Sequence, residues 1–175
     1  MKKLLLTAML ASMVAISGTV IADDAPTMAT MVLEGQMTGT KPVGMVPDGI
    51  RIDGFTSGVF TEGILAGATA DWVDYLLVRH DGVGVIDVRG YIVDPDGVPV
   101  SFTVRGFLGE PSGLHEAMLD PDFELPDVDV PTHGAAWFES MAPQYAFLNY
   151  TVFGVTGFVN AFQGMMRLTF RPIAE

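Results

Sequence analysis

Two Asp-Gly pairs constrain this chain more than any other feature. Asp81-Gly82 and Asp96-Gly97 each stand between runs rich in Val, Ile, Leu, Phe and Tyr, within Val73 to Phe107. Asp-Gly between β-rich runs signals a hairpin, because Gly accepts the positive φ that a twist-matched turn demands. Two such turns in succession predict a three-stranded meander. Parity then divides each strand. On Val83 to Val93 one face carries Val83, Val85, Asp87, Arg89 and Tyr91, and the other Gly84, Ile86, Val88, Gly90 and Ile92. On Val98 to Leu108 one face carries Val98, Val100, Phe102, Val104 and Leu108, and the other Ser101, Thr103, Arg105 and Phe107. Each strand therefore has one apolar face and one mixed face. Two readings follow. The mixed face is a solvated exterior with cross-strand ion pairs, or it lines the lumen of a barrel.

The rest of the chain reads as more of the same architecture. Thr27 to Met37 is a candidate strand and Thr38 to Asp48 a loop, since it holds Gly39, Pro42, Gly44 and Pro47. Ile50 to Asp53 opens a second strand. Gly54, Gly58, Gly63 and Gly67 follow, spaced as bends of a curved sheet or as a glycine-rich loop. Further strands are expected over Ala135 to Met141, Gln144 to Phe153 and Phe158 to Phe170, with interruptions at Gly154, Gly157 and Gly164. Between them, Glu110 to Asp129 holds seven acids and a short helix expected over Ser112 to Leu119. Asp120-x-Asp122-x-Glu124 begins like a calcium loop, but the glycine of the sixth position is missing and Pro121 and Pro126 oppose the geometry. About eight modest strands with frequent glycine turns suggest an antiparallel barrel or sandwich.

The amino terminus reads as an export signal. Lys2 and Lys3 precede an apolar run from Leu4 to Ile16, and Asp23-Asp24 follows a cleavage site expected after Ala22. Residues 23–175 then form one domain, located in a bacterial periplasm or outside the cell. Removing Lys2 and Lys3 leaves 7 cations against 21 acids, a net charge of −14. That balance argues against nucleic acid as a partner. The chain has no cysteine, so thiol chemistry and thiolate metal sites are excluded. The three histidines, His80, His115 and His133, are scattered. No phosphate loop, dinucleotide fingerprint or nucleophile elbow is present. No metal and no cofactor is expected.

The order Gly58…Gly63, Asp71-Trp72, Arg79-His-Asp81-Gly82, Asp87-Val-Arg89, Asp96-Gly97, Gly106, Phe138-Glu139 and Tyr145-Ala-Phe-Leu-Asn149 resembles the domain-of-unknown-function 3237 family. Phe147 stands where that family usually has Trp. The resemblance implies a closed antiparallel β-barrel, similar to lipocalin-like and allene oxide cyclase-like barrels, with no established activity. In a lumenal reading, Asp71, Asp87 and Tyr145 are the candidate catalytic residues. Trp72, Arg79, Arg89, Tyr91, Arg105 and Asn149 are the candidate ligand-binding residues. The expected function is a barrel holding a small, largely apolar molecule in its cavity. The alternatives are a cofactor-free isomerase, cyclase or lyase using the same cavity, and a small outer-membrane barrel.

Overall fold

Eight antiparallel strands, each bonded to its neighbours in sequence, close into a barrel when β1 pairs with β8. The computed structural model describes residues 30–173; the export signal and its cleavage site lie outside the described residues. The strands are β1 (Met31–Val46), β2 (Gly49–Glu62), β3 (Thr69–Arg79), β4 (Gly84–Val93), β5 (Pro99–Leu108), β6 (Val130–Glu139), β7 (Phe153–Asn160) and β8 (Met165–Pro172). Both Asp-Gly turns form as expected, with Gly82 at φ 80° and Gly97 at φ 83°. The second is held by Asp94, whose Oδ1 accepts the Asp96 and Val98 N–H groups at 2.9 and 2.7 Å.

Three expectations about local structure are corrected. Thr38 to Asp48 is not a loop, because β1 continues to Val46. Register shifts at Met37/Gly39 and Pro42/Gly44 absorb the glycines and the proline. Proline is tolerated there because β1 pairs with β8 only over Met31–Gln36, leaving its far half as an edge. Gln144 to Phe153 is not a strand but contains a 3-10 helix over Pro143–Tyr150. Its aromatics read as β-formers, yet Tyr145 and Leu148, three apart, both turn inward. Finally, the short helix α1 covers only Leu114–Ala117, and Ser112 precedes its cap, Gly113.

Strand parity decides what fills the barrel. Phe60, Phe102, Phe138, Phe153 and Phe170 are buried in the interior with Leu33, Ile92, Val100, Val104 and Val155. Phe138 is the hub, with ring centroids 6.5 Å from Phe60, 6.1 Å from Phe102, 5.2 Å from Phe153 and 5.6 Å from Phe170. Trp72 crosses the interior above glycines. A Cβ on Gly35 would lie 2.7 Å from the Trp72 ring, and one on Gly90 2.5 Å from Trp72 Cβ and 2.6 Å from the Phe102 ring. These glycines provide the space that the indole occupies. Gly90→Ala is therefore expected to cost about 1–3 kcal/mol through overpacking, seen as a lower urea midpoint with an unchanged m-value; an unchanged midpoint contradicts this packing.

The up-and-down order places the turns after β1, β3, β5 and β7 at one end and the others at the opposite end. The 3-10 helix caps the second end. The first end is crossed by the β5–β6 connection, residues 109–129, here called the strap. On one side the Ser112 N–H donates to Asp81 O at 2.8 Å, beside the β3–β4 turn, and the His115 ring lies 4.6 Å from that of His80. On the other, Asn160 Nδ2 donates to Asp127 and Asp129 at 2.9 and 3.1 Å, and Gln163 Nε2 to Asp127 at 2.8 Å. Those two turns lie four strands apart in a ring of eight, so the acidic segment is pinned at opposite sides of the mouth.

Candidate functional site at the strapped mouth

The residues singled out from sequence divide into three sets. Asp71, Asp87, Arg79, Arg89, Tyr91 and Arg105 stand on the outer face. Arg89 and Arg105 are 60% and 61% exposed and share the Asp87 carboxylate at 3.4 and 3.5 Å. The lumenal placement of the mixed face is thus corrected: the apolar parity faces inward, since burying hydrocarbon is favourable and desolvating guanidinium groups is costly. Exposed pairs of this kind contribute little, so Arg89→Met is expected to move stability by less than about 0.5 kcal/mol. Denaturation of that variant checks it, and a large loss would contradict the outward placement. A membrane-embedded barrel would show the reverse pattern, an apolar exterior around a polar interior. Among the described residues, no helix is long and apolar enough to cross a membrane.

Trp72 is interior, as the packing against Gly35 and Gly90 requires. Tyr145 and Asn149 serve the capped end. The buried Tyr145 hydroxyl donates to Asp94 Oδ2 at 2.8 Å, tying the 3-10 helix to the β4–β5 turn. Burial, and then the Asp94 carboxylate, push the Tyr145 phenol up to about 12, far from a proton-transfer group at neutral pH. Asn149 accepts the Ser140 N–H and donates to the Ser140 carbonyl, each at 2.9 Å. Tyr145→Phe is expected to lower the thermal midpoint while leaving the barrel's circular dichroism intact; an unchanged midpoint would show that the Asp94 bond contributes nothing.

The interior group that these readings missed is Asp74. Along β3 the inward parity runs Ala70, Trp72, Asp74, Leu76 and Val78, with no register shift against β2. Asp74 lies opposite Gly54 on β2 and Val88 on β4. The β3–β4 pairing skips from Asp74↔Val88 to Leu77↔Val85, and in the gap Asp74 Oδ1 accepts the Asp87 N–H at 3.2 Å. Desolvation raises the Asp74 carboxyl from 3.8 to about 7; the Asp87 N–H opposes the rise, and the Asp87 and Asp53 charges add to it.

Across the ladder from it, at Gly54, there is open space. A Cβ built on Gly54 meets no atom within 4 Å. Leu76, Leu108 and Met166, which share the inward parity toward the strap, are packed on the core yet only part-buried. Thr132, beside Leu108 across the β5–β6 ladder, is buried with its Oγ1 lacking a partner. The strapped mouth thus combines apolar walls, one carboxyl that exchanges its proton near neutrality, and one unpaired hydroxyl. A single acid in the otherwise apolar parity of β3 is the signal in the sequence that marks it.

No family model matches the chain, and no curated protein matches it. Several solved structures are similar, among them the following three. A protein of unknown function from Clostridium acetobutylicum superimposes with a TM-score of 0.67 at 19% identity, over 82% of this chain and 95% of that one. A conserved protein of unknown function from Rhodopseudomonas palustris gives 0.60 at 16% identity, over 84% and 98%. A beta-barrel-like protein from Acinetobacter baumannii gives 0.61 at 19% identity, over 81% and 91%. The likeness is one of fold. It supports the barrel architecture seen here.

Proposed function

We propose that this chain is an exported member of the domain-of-unknown-function 3237 family that binds a small, largely apolar molecule in the strapped mouth, its polar head turned to Asp74. The Lys2-Lys3 leader with its apolar run supports export, and the motif order from Gly58 to Asn149 supports the family. The observation that carries the binding reading is Asp74 itself. A carboxyl at about 7 is present in both forms at neutral pH, so it can donate to a carbonyl or accept from a hydroxyl. Leu76, Leu108 and Met166 supply the apolar contact that such a ligand needs. The same carboxyl favours the second reading, a cofactor-free isomerase, cyclase or lyase, because a general acid–base group works best with a pKa near the operating pH.

Native mass spectrometry of the exported protein tests the proposal. A co-purified mass is expected, displaceable by the neutral apolar probe N-phenyl-1-naphthylamine and absent from Leu108→Trp, which fills the mouth. No bound mass and no probe binding in the unaltered protein would overturn it. Conversion of the released molecule by the unaltered chain but not by Asp74→Asn would select the enzyme.

A further inference from the structure

On the outer wall, independent of the mouth, β2, β3 and β4 form a cleft of about 300 Å³. Its two flanks are aromatic: Phe55 on β2 and Tyr91 on β4, 41% and 54% exposed. Between them stand Val73 and the Asp71 carboxylate. Asp71 is oriented by two hydroxyls, Ser57 Oγ at 2.6 Å on Oδ1 and Tyr91 OH at 3.0 Å on Oδ2. Arg89 lies across the β3–β4 ladder from Val73, with one NH2 group turned to Asp87 at 3.4 Å. A carboxylate retains acceptor sites after two bonds, and a guanidinium has five donors.

We propose that this cleft binds the pyranose ring of a saccharide. Neighbouring acceptor and donor groups suit hydroxyls, each of which both donates and accepts. The aromatic flanks, with Val73 between them, suit the C–H faces of a sugar ring. A bare anion would face Asp71 and the strongly negative chain, and a bare cation would face Arg89, so the ligand is a neutral polyol with an apolar face. Affinity is in the millimolar range usual for a shallow, wet cleft that buries only part of its ligand.

Amide NMR titration of the full mature chain with cellobiose, and with methyl β-D-glucopyranoside as the single-ring probe, tests this. Shifts are expected at residues 55–57, 71–73 and 89–91. Asp71→Asn and Tyr91→Ala are each expected to weaken binding tenfold or more, while Phe107→Ala, an outer aromatic on β5, leaves it unchanged. Because these side chains are on the surface, the unshifted remainder of each spectrum confirms folding. If either variant misfolds, Phe55→Ala takes its place. Absence of shifts, or the same shifts and affinity in the cleft variants, would overturn the proposal. Binding of N-phenyl-1-naphthylamine at the mouth is read separately from these shifts, so the saccharide proposal stands or falls apart from the mouth.

Discussion

Phe138→Ala is expected to destabilise the barrel by about 3–5 kcal/mol. Phe138 is buried and touches the rings of Phe60, Phe102, Phe153 and Phe170, which come from β2, β5, β7 and β8. Removing the ring loses its transfer free energy and opens a void that no single neighbour can close, because each of those strands is fixed by its own ladders. Edge-to-face contacts, as with Phe153 at 83°, add to the loss. Phe138→Leu keeps most of the volume and is expected to cost less than half as much. Urea denaturation of both variants checks this; equal losses would show that the ring contacts contribute nothing beyond volume.

The second large effect depends on pH. Asp74 has a carboxyl at about 7 when folded, against 3.8 for an ordinary aspartate. Between those values the folded state holds a proton that the unfolded chain has released. Stability therefore falls as pH rises from about 4 to about 7. The limit of that loss is about 4 kcal/mol, reduced to the extent that water reaches the carboxyl. Asp74→Asn stays neutral throughout and can still accept the Asp87 N–H. It is expected to be more stable than the unaltered protein at pH 8 and nearly equal to it at pH 4. Thermal midpoints at the two pH values decide the matter. A variant with the same pH profile as the unaltered chain would show that Asp74 is not the titrating group.

Much of the architecture was legible because it rests on local chemistry. Asp-Gly at 81–82 and 96–97 specifies turns that only positive φ satisfies, and parity on β4 and β5 separated the faces correctly. Which face points inward is a long-range matter. It depended on Trp72 finding Gly35 on β1 and on Phe138 gathering four strands, and neither contact leaves a trace in neighbouring residues. Residues 143–150 misled for the opposite reason. Tyr145, Phe147 and Tyr150 carry β-propensity, but the Asp94 bond to Tyr145 and the burial of Leu148 override it. The mouth was half legible. Asp74 stands in plain view among Ala70, Trp72, Leu76 and Val78, whereas the raised pKa, the gap in the β3–β4 ladder and the crossing strap exist only once the barrel has closed.

The seam between β1 and β8 comprises six residue pairs, Met31↔Phe170 to Gln36↔Met165, whereas β2 and β3 share eleven. A cylinder parts where its stitching is shortest. Amides along that seam should exchange with solvent before those of the central meander, and the β7–β8 hairpin, held to β6 by seven pairs, is the part best able to leave as a unit and dock on another molecule's vacated edge.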